Sequence, residues 1–94
     1  MKLLWTRVAL GDMGEAYDFV AMDQPAAAKR VMMQVEGAVA LPRRFPGMGR
    51  PGRVKGTREL VVVGTPFVVP YRVREDRIEI LAVLHGSRRW PERL

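Results

Sequence analysis

From Arg58 onward the sequence switches to the two-residue period of β-structure and keeps it almost to the end, which limits the fold more than any other feature. The stretch Gly49 to Pro91 reads GRPGRVKGTRELVVVGTPFVVPYRVREDRIEILAVLHGSRRWP. Arg58 to Val63 is rich in β-formers, Gly64-Thr65-Pro66 turns the chain into Phe67 to Arg74, and Glu75-Asp76 turns it again into a run that reaches His85. Turns this short leave no room for a crossover, so the three runs form an antiparallel meander. In the second run Phe67, Val69, Tyr71 and Val73 face one way, with Val68, Pro70, Arg72 and Arg74 opposite. In the third run Ile78, Ile80, Ala82 and Leu84 are expected on one face, against Glu79, Leu81, Val83 and His85. Pro70 has no N–H to give a ladder, so it implies a bulge or an unpaired edge. Both faces are substantially apolar, and helices can bury only one of them. The other needs the C-terminal tail or another chain to cover it.

Helical spacing precedes the meander. Leu3 to Thr6 reads as a short strand, and from Val8 to Met22 the residues Ala9, Met13, Ala16, Tyr17 and Val20 fall on one side. Asp23-Gln24-Pro25 ends this helix and starts another, with Pro25 suited to a first helical position and Asp23 or Gln24 at the cap. The second helix runs to about Leu41 on a stripe of Ala28, Val31, Val35, Ala38 and Val39, and Pro42 disfavours helical geometry at Leu41. Gly37 weakens it by about 1 kcal/mol. So tight a junction makes the two helices a hairpin. Met32, Met33 and Trp5 read as core or core-edge residues. Arg43 to Lys55, with two Pro-Gly steps and four arginines, reads as an irregular loop between helices and sheet. The expected fold is one small two-layer α+β domain over residues 1–94, with an N-terminal strand, a helical hairpin and a three-stranded antiparallel meander.

Charge is divided as unevenly as structure. Residues 1–42 carry four Lys/Arg against five Asp/Glu, a net of −1, whereas residues 43–94 carry twelve against five, a net of +7. Thirteen of the sixteen basic residues are Arg. The rigid guanidinium fork suits phosphates and carboxylates, so the bias points to an anionic partner. An absence of cysteine excludes disulfides and thiolate metal sites and suits a reducing cytoplasm. His85 is the only histidine, so neither a metal nor a cofactor is expected. The apolar run before Arg7 is too short for an export signal, and nothing approaches the ~20 apolar residues of a membrane span.

The candidate contact residues are Arg50, Arg53, Lys55, Arg58, Arg72, Arg74, Arg88, Arg89 and Trp90. Each has a plainer reading: the loop cations as solvated charges, His85 as a hydrogen-bonded structural residue, and Trp90 as a residue folded back to cap the sheet. A simple nucleic-acid-binding module fits less well. Aromatic residues make up only 7% of the chain, and Phe67 and Tyr71 share an apolar face instead of interleaving with arginines as a stacking platform requires.

The order strand, helical hairpin, Arg/Gly loop and meander resembles the RelE/ParE superfamily of toxins from type II toxin–antitoxin systems, across nearly the whole chain. The segments that carry the resemblance are Gly49 to Arg53, Gly56 to Val62, Gly64 to Val73 and Leu84 to Pro91, with Ala26 to Ala28 after Pro25. Where members commonly place Asn before that proline, this chain has Gln24. The resemblance implies a cognate antitoxin, with operator DNA bound mainly through it. An acidic, amphipathic antitoxin segment that folds on binding would suit the arginine surplus and the uncovered sheet face.

The superfamily divides in activity. The RelE-like branch cleaves messenger RNA on the ribosome, which needs a proton acceptor, a proton donor and cations on the phosphorane. Here Arg58, Arg72 and Arg74 could supply the cations and His85 the acid or base, helped by Glu59 or Tyr71. Glu59 projects away from Arg58, and Tyr71 away from Arg72, so these groups do not obviously converge. No Tyr or second His follows the last strand, where the ribonuclease branch usually has one. The ParE-like branch blocks DNA gyrase by binding and needs no catalytic residue. The sequence favours that branch.

Overall fold

The computed structural model describes all 94 residues, Met1 to Leu94. Strand β1 (Lys2–Trp5) leads into helix α1 (Arg7–Asp23) and helix α2 (Pro25–Ala40), followed by a single 3-10 turn at Leu41–Arg43. Strands β2 (Arg50–Pro51), β3 (Arg58–Val61), β4 (Phe67–Arg74), β5 (Arg77–Ile80) and β6 (Leu84–His85) follow. The sheet order is β1-β5-β4-β3-β2, with β6 also on β4. The meander is antiparallel, and β1 returns to pair in parallel with β5, Leu3 opposite Ile78. The two-layer α+β architecture is the one expected.

Helix boundaries follow from caps. Thr6 follows β1 and caps α1, its hydroxyl accepting the Ala9 N–H at 3.1 Å. This satisfies one of the orphan donors of the first turn and starts the helix one residue before its apolar pattern does. Pro25 occupies the first turn of α2 behind Gln24, which sits at the cap without a side-chain bond. From the helices, Ala9, Ala16, Val31, Met32, Val35 and Val39 pack against Leu60, Val62, Phe67, Val69, Tyr71, Ile78 and Ile80 of the sheet. Each large aliphatic buried this way contributes about 1.5–3 kcal/mol. Met33 points out of the core, contrary to expectation, because it follows Met32 on a helix and so turns to a different side.

The third β-run differs from expectation for a clear reason. Tyr71 pairs with Ile80, but Val68 pairs with Leu84, so three steps along β4 are matched by four on the returning chain. One extra residue forms a bulge at Leu81–Val83, opposite Pro70, whose carbonyl still accepts the Leu81 N–H at 3.0 Å. The bulge inferred from Pro70 is present, but the simple alternation beyond it is not. The extra residue reverses the faces: Val83 joins the core, Leu84 becomes half-buried, and His85 turns toward Phe67 and Phe19. Helix α1 accommodates the bulge, with the Asp12 carboxylate accepting the Val83 N–H at 3.0 Å and the Thr6 hydroxyl donating to the Leu81 carbonyl at 3.2 Å.

The 43–55 segment is not wholly irregular, because β2 pairs Arg50 with Glu59 and Pro51 with Arg58. Tyr71, fully buried, fixes the approach: its hydroxyl accepts the Gly49 N–H at 2.9 Å and donates to the Pro46 carbonyl at 2.7 Å. Gly49 is required there. A Cβ on it would lie 2.7 Å from Tyr71 Cε1 and 3.0 Å from the Glu59 carbonyl oxygen.

Candidate functional site

Two glutamates organise the sheet face away from the helices. The Glu59 side chain, 2% exposed, accepts Arg50 Nε and Nη2 at 3.1 and 2.9 Å on one oxygen and the Arg53 backbone N–H at 2.8 Å on the other. Glu79 accepts Arg72 Nε at 3.3 Å and Arg77 Nε at 3.0 Å, one on each oxygen. Burial works to raise the Glu79 pKa, but the Arg72 hydrogen bond and the charges of Arg77 and Arg74 outweigh it and hold the carboxyl below its usual value. Asp12 moves the other way. Its burial in the helix–bulge junction raises its pKa and the charge of Glu15 adds to this, while the Val83 N–H works against both.

These pairings sort the candidate cations. Arg50, Arg53 and Arg72 sit beside carboxylates, and Arg58 donates to the Gly49 carbonyl at 2.9 Å on the opposite face, across from Tyr71. All four ion pairs end on Glu59 or Glu79, so Lys55, Arg74, Arg88 and Arg89 stay unpaired and exposed. Arg88 lies over the Phe19 ring, 4.4 Å from its centre. Trp90 folds back: Arg53 lies 3.7 Å over its ring, and its indole N–H donates to the His85 carbonyl at 3.1 Å. Pro91, Arg93 and Leu94 continue beside Arg72, Leu81 and Leu84, so the chain's own tail covers part of the outer face.

His85, Arg58, Arg72 and Arg74 are not brought together. His85 is opposite Phe67 at one end of β4, whereas Arg74 ends the strand seven residues later, about 23 Å away at the rise of an extended chain. The His85 ring is engaged, with Nδ1 2.9 Å from the Ser87 hydroxyl and the ring edge-on to Phe19 at 5.2 Å. It does share a small cavity of about 140 Å³ with Asp12, Glu15, Arg88, Arg89 and Trp90. No three His, Asp or Glu side chains gather in a metal-ligating arrangement, and no helix is long and apolar enough to cross a membrane.

The sequence reading missed Asp12 and Phe19, whose roles depend on a bulge it could not place. It also missed an apolar strip where β3 runs past the end of β2. There Val61 and Val63 (85% exposed) adjoin exposed Leu41 and Met48 around a groove of about 380 Å³. Four consecutive apolar residues, Leu60 to Val63, were the signal for it.

The chain resembles known toxins over most of its length. It is 41% identical over 91 residues to "Putative toxin Y4kP" of Sinorhizobium fredii, an alignment covering 97% of this chain and 94% of the relative. It is 31% identical over 87 residues to "Toxin RelE2" of Caulobacter vibrioides, covering 93% and 97%. Its fold matches a chain of the solved "Chromosomal ParDE TA system from P. aeruginosa" with a TM-score of 0.86 and 31% identity, covering 93% of this chain and 97% of that one. Residues 3–90 match the model of the ParE toxin of the type II toxin–antitoxin system parDE. With that match spanning both helices and the whole meander, the chain belongs to the ParE toxin family of type II toxin–antitoxin systems, and a cognate antitoxin is its partner.

Proposed function

We propose that this toxin arrests growth in the ParE manner, by binding DNA gyrase without catalysing a reaction, and that an acidic antitoxin segment neutralises it. The observation that carries this reading is the dispersal of the acid–base and cationic groups. His85 is edge-on to Phe19 and hydrogen-bonded at one end of β4, Arg74 is at the other, Arg72 is held by Glu79, and Arg58 is tied to a backbone carbonyl. In-line cleavage of RNA needs these groups within hydrogen-bond reach of a single phosphate. The unpaired cations Lys55, Arg74, Arg88 and Arg89 remain available for an anionic surface on gyrase or its bound DNA.

The cavity shared by His85, Glu15, Arg88 and Arg89 favours a second reading, ribosome-dependent cleavage of messenger RNA, because it is where a titratable ring and free cations do meet. The decisive experiment adds antitoxin-free protein to gyrase supercoiling reactions and, in parallel, to translating ribosomes. Loss of supercoiling without message cleavage is expected, with His85→Ala still active on gyrase. Codon-dependent cleavage that falls about 100-fold or more in His85→Ala would establish the second reading instead.

A further inference from the structure

Glu59 is nearly solvent-free, and the reading above gives it no role. Its two oxygens hold the loop differently: one takes both Arg50 donors, the other takes the Arg53 backbone N–H at 2.8 Å. Fixing that amide fixes the start of the Arg53 side chain, whose guanidinium carbon then lies over Trp90, 3.7 Å from the ring centre. Trp90 donates in turn to the His85 carbonyl, and it directly follows Arg88 and Arg89. Arg88 is planted on Phe19. The segment from His85 to Trp90 is therefore held at both ends, and its exposed cations are presented from a fixed backbone.

We infer that Glu59 is a positioning residue: it touches no target itself, but through Arg53 and Trp90 it sets the C-terminal cations Arg88 and Arg89 as a preorganised anion-binding surface. A loose arginine tail would lose its conformational freedom on binding, and a held one has lost it already. The relay also explains why position 53 is Arg. A lysine would keep the charge and the backbone N–H, but not the planar face that stacks on indole. The effect on the target rests on the gyrase reading, whereas the relay itself can be tested without it.

The test uses the full chain carrying Trp5→Phe, which leaves Trp90 as the only tryptophan, with acrylamide as the quencher. Arg53→Ala and Glu59→Ala, the latter leaving the Arg53 N–H without an acceptor, are each expected to raise the quenching of Trp90 about two-fold or more, with Arg53→Lys between them and the parent. Because one chain of contacts is being cut, Arg53→Ala combined with Glu59→Ala should add little to Arg53→Ala alone. If Glu59→Ala does not fold, Arg53→Lys still decides, since that side chain is half exposed and its loss leaves the core intact. Trp90 as protected in Arg53→Ala as in the parent would overturn the proposal, as would fully additive effects in the double variant. On gyrase, Arg53→Lys should lose about ten-fold in potency with an unchanged unfolding midpoint, and unchanged potency with Trp90 released would also overturn it. Failure of the parent itself to inhibit gyrase would refute the functional reading alone, because the quenching result stands apart from it.

Discussion

The two faces of the sheet are held by different physics, and only the inner one is covered throughout. Toward the helices lie Val69, Tyr71, Ile78 and Ile80, each with no exposed surface, packed against alanines and valines of α1 and α2. Away from them, Glu59 and Glu79 each hold two arginines, and the tail from Trp90 to Leu94 lies alongside. The inner face is held by area and shape. The outer face is held by charge-assisted bonds whose arginines stay partly in water. The inner face therefore supplies most of the stability, while the outer face, with its cations already arranged, can be given to a partner.

Stability measurements should rank the faces in that order. Ile80→Ala removes a fully buried side chain beneath the helices and should cost about 2–5 kcal/mol in denaturant unfolding. Tyr71→Phe keeps the ring but leaves the Gly49 N–H and Pro46 carbonyl without their partner, and should cost about 1–3 kcal/mol by the same measurement. Glu59→Ala, on the outer face, should cost about 1–2 kcal/mol, because its half-exposed arginines can regain water. A loss at Glu59 equal to that at Ile80 would break the contrast.

The smallest effects sharpen the comparison through pH. Glu79 has a lowered pKa in the folded chain, so the stability it contributes is present above the ordinary glutamate value and is lost as pH falls through the lowered one. Glu79→Gln should therefore flatten part of the acid limb of a stability–pH curve. Asp12 has a raised pKa, so its contribution is present at low pH and is lost as pH rises through the raised value. Asp12→Asn retains an acceptor for the Val83 N–H and should remove that loss, which urea unfolding at a series of pH values will read.

How much was legible differs between the faces for the same reason. The helical stripe Ala28, Val31, Val35, Val39 and the strand alternation Phe67, Val69, Tyr71 are local repeats, so the inner face could be read residue by residue. Pro70 announces a bulge but not which strand carries the extra residue, so simple alternation puts Val83, Leu84 and His85 on the wrong faces, while Leu81, ahead of the shift, lies where it is expected. Trp90 was left with two readings, and only its contacts with Arg53 and His85 show it folded back.

The sequence by itself determined the helical hairpin and antiparallel meander, the concentration of arginine in the second half, and the resemblance to a toxin family, because these are written in periodicity, turn residues and composition. Only the tertiary structure decided which arginines are already engaged, where His85 points, and how the tail crosses the sheet. Those outcomes depend on partners far apart in the chain, Asp12 with Val83 and Arg53 with Trp90, and on a one-residue shift in register that reverses every face beyond it.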